Sequence, residues 1–338
     1  MSLSLEKEKK MAINLLNIEP HKVSKDLSGY ITYIYGAPKT GKTTLAVQMP
    51  KTLLCAFEKG YNALPGVMAV DILTWGDMKQ VLRELKKPEV KATYDSVVID
   101  TVDVAADFCQ KYVCNQLGIE NMGDGGWGTN SWKKFRDEFN DVFRALTQLG
   151  YAVFFLGHHT EQTIKDIDGN DKIIIRPALS PRSVKQTVEG MADIYGYAHQ
   201  VAGKSMSRLT LRCPDDSITC GGRFKYIAPE IEMTYDDLVK AIHDAIDKEA
   251  AEHDNKFVTD ERESTPKGEE LNFKALMDEF QTIVGELMTK DASTYGPKIT
   301  KIIEKYLGKG HKIADANEDQ VEMINLIIMD IKDELVNA

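Results

Sequence analysis

The chain has 338 residues, of which 43% are hydrophobic and 28% charged, and a formal net charge of −10. That is the composition of an ordinary water-soluble protein with room for one large domain and an appendage, or two modest domains. No apolar run approaches the ~20 residues of a bilayer span, and the charged opening MSLSLEKEKK lacks a signal-peptide core, so a cytoplasmic chain with no membrane partner is expected.

Residues 1–29 read as a charged arm with a short apolar segment, AINLLNI, and a turn at Pro20. YITYIYG follows as a strand, and GAPKTGKT, from Gly36 to Thr43, then fits G-x-x-x-x-G-K-[ST] in full. Strand, loop and the helical start TTLAVQM come in the order a P-loop needs. Backbone N–H groups of Gly36, Ala37, Pro38, Lys39, Thr40, Gly41, Lys42, Thr43 and Thr44, proline excepted, can turn inward around phosphates. Lys42 reaches the terminal phosphates, the Thr43 hydroxyl can ligate Mg²⁺, and the helix start adds its positive dipole end.

TLLCAF is a second strand, and Glu58 just after it is a candidate to activate water, with a surface Glu in the loop EKGYNALPG as the alternative. Helical patterns fall at about 76–87, 102–117 and 131–149. Between the first two, YDSVVIDT ends in Asp100, a carboxylate at a strand tip as a Walker B strand requires. YAVFFLG ends in His158 and His159; adjacent strand residues point to opposite faces, so only one can sense the γ-phosphate, and His158 is preferred. ADIYGYA and RLTLRC complete the β-rich runs. Alternation of this kind argues for an α/β fold with a mostly parallel sheet flanked by helices, whose ligands lie at the C-terminal strand ends.

Tyr235 to about Ala251 is helical, and the polar stretch after it reads as a linker. Phe273, Leu276, Met277, Phe280, Ile283, Val284 and Leu287 then recur at helical spacing, as do Ile299, Ile302, Ile303 and Tyr306, and Asn317 with Gln320 resembles a capping box. The expected division is an arm at 1–29, a core at 30–250, a linker at 251–270 and a small helical domain at 271–338. The five cysteines, without paired C-x-x-C spacing, predict free thiols, with a Cys213/Cys220 metal site a remote alternative.

The P-loop, the Glu after the second strand, the Walker B strand and a strand ending in a polar residue resemble the RecA-like recombinase core. NIEPHKVSKDLSGYITYIYGAPKTGKTT and YDSVVIDTVD look most like the phage-type, core-only relatives grouped as Sak-type single-strand annealing and recombination proteins. The resemblance implies an ATP- and Mg²⁺-dependent ATPase that binds single-stranded DNA and promotes annealing or strand exchange. It would work as a ring or filament of identical subunits, with a single-strand-binding protein as a candidate partner, in the cytoplasm of a bacterial host. Glu58 would be the catalytic glutamate, Asp100 the Walker B carboxylate, and His158 the sensor, where recombinases usually carry glutamine. Residues 121–132 would match the first DNA loop, with Trp127 and Trp132 to stack on bases or else serve as core aromatics, and 160–183 the second, with Lys165, Lys172, Arg176 and Arg182, or else with a solvated hairpin without a ligand at its tip. Arg223 in CGGRFKY would complete a neighbour's site, with Arg212 and Lys225 behind it. An annealing protein with negligible ATP turnover and a helicase- or loader-type motor remain alternatives; no Arg-rich lid suggests a small-molecule kinase.

Overall fold

Alternate residues of the central strands enter two different cores, the pattern of a sheet covered on both faces. The computed structural model describes residues 20–124, 128, 130–165, 168–203, 205–260 and 272–336. It divides into two compact units, Met1–Thr265 and Pro266–Ala338.

The first unit opens with β1 (Val23–Ser24), β2 (Ile31–Gly36), α1 (Lys42–Ala46), β3 (Thr52–Ala56) and β4 (Ala69–Asp71). It continues through α2 (Trp75–Leu85), α3 (Pro88–Thr93), β5 (Ser96–Asp100), α4 (Val102–Leu117), α5 (Ser131–Gln148), β6 (Ala152–Lys165), β7 (Asp171–Pro177) and α6 (Arg182–Met191). β8 (Ile194–His199), β9 (Arg208–Thr210), β10 (Gly221–Gly222), β11 (Glu230–Glu232), α7 (Tyr235–Ala251) and β12 (Val258–Thr259) complete it.

The main sheet runs β11-β9-β8-β2-β6-β5-β3-β4. From β8 to β4 every neighbour is parallel, and β9, β10 and β11 add antiparallel pairs at one side. The mixed α/β class with a mostly parallel sheet is therefore what the chain forms. On one face Tyr33, Tyr35, Val97, Ile99, Val153 and Phe155 pack with α2, α4, α5 and α6. On the other, Ile34, Leu54, Val98, Phe154 and Leu156 meet Leu45 of α1 and Leu238, Ile242 and Ile246 of α7. Trp75, fully buried, stacks on Phe139 and meets Phe143 edge-on, tying α2 to α5.

Three local features depart from the sequence reading. The helix after the P-loop is only Lys42–Ala46, because the chain turns at Met49–Pro50 to enter β3, so its dipole is that of little more than one turn. β6 does not stop at Gly157 but continues to Lys165, and residues 160–165 form an antiparallel hairpin with β7. Cys213 and Cys220 are joined as a disulfide, correcting the expectation of free thiols for that pair, since the intervening loop returns their Cα atoms to 5.3 Å. Cys55, Cys109 and Cys114 are free and buried.

The second unit holds α8 (Phe273–Leu307) and α9 (Val321–Ile331). Asp291 leaves helical geometry inside α8, and its carboxylate accepts from the Ser293 and Thr294 N–H groups, so it caps a second helical half. Asn317 and Gln320 form the capping box read from the sequence, on a 3₁₀ turn that leads into α9. Leu276, Phe280, Leu287, Ile299, Ile302 and Ile303 bury against Ile324, Ile327, Ile328 and Ile331. No helix among the described residues is long and apolar enough to cross a membrane.

Candidate nucleotide site

The P-loop leaves β2 at Gly36, in register with His158 of β6 and Ala198 of β8. A Cβ on Gly36 would sit 2.1 Å from the Ala198 carbonyl oxygen, so only glycine lets the loop depart between these strands. Gly41, at φ 91°, turns the loop into α1. The Lys42 side chain is buried and folds back across the loop, its Nζ donating to the carbonyls of Gly36 at 3.0 Å and Ala37 at 2.8 Å. Burial lowers its pKa, and Asp100, Asp103 and Glu58 nearby oppose that shift.

Asp100 ends β5, and the Thr43 hydroxyl donates to its Oδ2 at 2.7 Å. Burial and the nearby Glu58 charge raise its pKa, while the Thr43 hydrogen bond and the Lys42 charge pull it down. The pair offers hard oxygens, as Mg²⁺ requires, and no cluster of three or more His, Cys, Asp or Glu suited to a metal occurs among the described residues. A site of one hydroxyl and one carboxylate fits a small cation that takes its remaining ligands from water and substrate phosphates.

Glu58 reaches this corner from a strand, β3, that does not border the P-loop strand; β6 and β5 lie between. What carries Glu58 inward is pairing with β5: the N–H groups of Phe57 and Glu58 both donate to the Asp100 carbonyl, at 2.7 and 3.2 Å. Its Oε2 then lies 3.5 Å from the Thr101 hydroxyl and 3.5 Å from His158 Nε2. Glu58 keeps a side-chain exposure of 42% and so remains open to the cavity.

His158 and His159 part to opposite faces, as the strand pleat requires. His158 joins the site. His159 packs beside Tyr197 and lies 3.6 Å from Glu161. The residue missed in the sequence is Asp103, in the first turn of α4. Its Oδ1 accepts the His158 backbone N–H at 3.0 Å, and its Oδ2 lies 2.7 Å from His158 Nδ1. Burial pushes the Asp103 carboxyl up, but hydrogen bonds to and charge on His158 more than offset this and hold it below its ordinary value; His158 is correspondingly raised, chiefly by the Asp103 hydrogen bond. Asp100 and Asp103, three apart across a strand-to-helix turn, were the available signal.

These groups line one cavity of about 370 Å³, bounded by Pro38, Lys39, Gly41, Lys42, Thr43 and Thr44 on the loop side and by Glu58, Asp100, Thr101 and His158 opposite. A family model described as an AAA domain matches residues 28–224. The chain belongs to this AAA-domain family. Across 333 residues it is 31% identical to the SPbeta prophage-derived uncharacterized protein YorG of Bacillus subtilis (strain 168), with 96% of this chain and 99% of that protein covered. Among solved structures the RadB recombinase is similar at a TM-score of 0.34 and 13% identity, over 54% of this chain and 80% of that one, a superposition too loose to carry an argument.

The remaining candidates of this AAA-domain chain lie away from the cavity. Lys165 and Lys172 flank the tip of the β6–β7 hairpin and pair with Asp171 and Asp216, respectively. Arg176, further along β7, donates to the Asp216 carbonyl. Arg182 is exposed at the start of α6. Trp127 lies outside the described residues, and Trp132, half-exposed, meets Phe135 edge-on. Arg223 sits at the opposite, N-terminal edge of the sheet, 3.1 Å from Asp193, which precedes β8. Arg212 donates to the Lys225 carbonyl, and Lys225 pairs with Glu252.

Proposed function

We propose that this chain is a RecA-like, Mg²⁺-dependent ATPase of the Sak type that binds single-stranded DNA and promotes annealing or strand exchange in phage recombination. The observation that carries the ATPase reading is the convergence of Lys42, Thr43, Glu58 and Asp100 on one cavity beside a complete P-loop. Loop N–H groups and Lys42 bind the phosphates, and Lys42 must exchange its carbonyl partners for phosphate oxygens to do so. Thr43 and Asp100 would hold Mg²⁺, which supplies charge neutralisation at the phosphates when bound. Glu58, exposed to the cavity and anchored through its backbone to Asp100, accepts the proton of the attacking water.

DNA binding rests on the hairpin. β6 is one unbroken strand from the sheet centre through His158 to Lys165, so a displacement at the nucleotide has a stiff route to the hairpin bearing Lys165, Lys172 and Arg176. Those cations have acidic or carbonyl partners, so strand binding requires phosphates to replace Asp171 and Asp216. Trp127 would add stacking, and Arg182 further charge. Self-assembly, with Arg223 acting on a neighbouring copy, and cooperation with a single-strand-binding protein extend the same reading. The prophage origin of the YorG relative supports a phage setting.

The test is anisotropy of a labelled single-stranded oligonucleotide titrated with the full chain. Affinity is expected to rise about 10-fold when a non-hydrolysable ATP analogue replaces ADP, and to weaken with salt. Lys165→Ala with Lys172→Ala and Arg176→Ala should remove most of it. Absence of single-strand binding under both nucleotides would refute the recombination reading and leave an ATPase serving another partner.

A further inference from the structure

We infer that Asp103 is a positioning residue that acts on Glu58 through His158, so that water activation depends on a carboxylate one helical turn beyond the Walker B strand. The inference rests on the ATPase reading above and adds to it a residue that never touches the nucleotide. Three observations on separate elements carry it.

First, both oxygens of the Asp103 carboxylate are turned to His158. Its Oδ1 takes the His158 backbone N–H and its Oδ2 faces the ring Nδ1, so strand end and imidazole are clamped by the same group. Second, the clamp has a built seat. A Cβ on Gly157 would come within 3.0 Å of the Tyr33 hydroxyl, tighter than ordinary contact, and just touch Asp103 Oδ1 at 3.4 Å, so the glycine of β6 keeps the seat between Tyr33 and Asp103 uncrowded. Asp103 is itself largely buried, with 15% of its side chain exposed. Third, with Nδ1 held by Asp103, the other nitrogen faces Glu58, Nε2 to Oε2 at 3.5 Å.

The chemistry follows from counting donors. His158 presents two to Asp103, the backbone N–H and Nδ1–H, and only a carboxylate accepts both. Nδ1 therefore carries a proton whether the ring is neutral or charged. Nε2 is left to accept when the ring is neutral, or to donate to Glu58 when it is charged. Glu58, Asp103, Lys42 and Asp100 are the charged groups that act on the ring, from the loop after β3, from α4, from the P-loop and from the tip of β5. In the charged ring Asp103 thus fixes the direction from which Nε2–H holds Glu58, and Glu58 takes the proton of the water.

Asp103→Asn separates this role from simple packing. Its amide oxygen is required by the backbone N–H, so its NH₂ must face Nδ1, force the proton to Nε2 and keep the ring neutral, and Glu58 loses its charged partner. In the full chain, kcat is expected to fall about 10- to 100-fold, with KM for ATP unchanged within about twofold. In a His158→Gln background the same substitution should cost less than about twofold, because the route it acts through is gone. Nitrogen-15 NMR above the titration of the ring, with His158 assigned by its loss in His158→Gln, should show the proton on Nδ1 in the native chain and on Nε2 in Asp103→Asn.

Equal losses in both backgrounds, an unmoved proton, or a raised KM with unchanged kcat would overturn the role. An active native chain matched by Asp103→Asn refutes this role alone. A native chain that turns over no ATP refutes the ATPase reading and this role together, and the NMR result then shows only whether Asp103 holds the ring.

Discussion

Glu58→Gln is expected to lower kcat for ATP hydrolysis about 10²- to 10⁴-fold while ATP affinity stays within about threefold. The substitution keeps the length of the side chain and its backbone anchor, the Glu58 N–H to the Asp100 carbonyl. It removes the proton acceptor and little else. The contact to His158 Nε2 survives as a neutral hydrogen bond, so ring and strand stay in place. Because Glu58 is a partner in neither the Lys42 nor the Thr43 bond, those bonds of the binding half stay in place, and only the charge of Glu58 on Lys42 and Asp100 is lost. Equilibrium binding of a fluorescent ATP analogue, run beside phosphate release, separates the two quantities. A variant that hydrolyses at the native rate would assign water activation to another group.

Lys42→Ala should behave in the opposite way, losing binding rather than chemistry alone. Lys42 is the buried cation of the loop, and charge-assisted bonds to phosphate are the strong ones in such a site. Its loss is expected to weaken ATP binding by about 100-fold, and hydrolysis at any accessible ATP concentration with it. The Gly36 and Ala37 carbonyls lose their donor in this variant, at a cost of about 1–3 kcal/mol where water does not replace it. Far-UV circular dichroism and a thermal scan therefore belong beside the titration: a native spectrum with lost binding assigns the effect to the phosphate contact.

The legible part of the fold was the part written in local pattern. SVVID and the helix from Val102 to Leu117 stand where periodicity puts them, because each is a continuous buried strand or a one-sided apolar stripe with turn residues at its ends. The P-loop was legible because its chemistry demands a fixed spacing. What escaped depended on partners distant in sequence. The extension of β6 past Gly157 has no apolar signal in EQTIK and exists because β7 returns to pair with it. The short helix after the P-loop follows from the turn at Met49–Pro50, close behind a helical-looking run. Within the site, Lys42, Thr43, Glu58, Asp100 and His158 converge as residues singled out in advance. Asp103 did not announce itself, since a lone Asp in the first turn of a helix ordinarily complements the dipole. Its second task is created by His158, more than fifty positions away.

Phosphate release by the purified native chain, with Mg²⁺ or with EDTA and each with and without single-stranded DNA, is the measurement to make. Turnover that needs Mg²⁺ and rises about 10-fold or more with single strands is expected of a site in which Thr43 and Asp100 hold the cation and β6 links His158 to the hairpin. No turnover under any of the four conditions, or turnover indifferent to both Mg²⁺ and DNA, would contradict it.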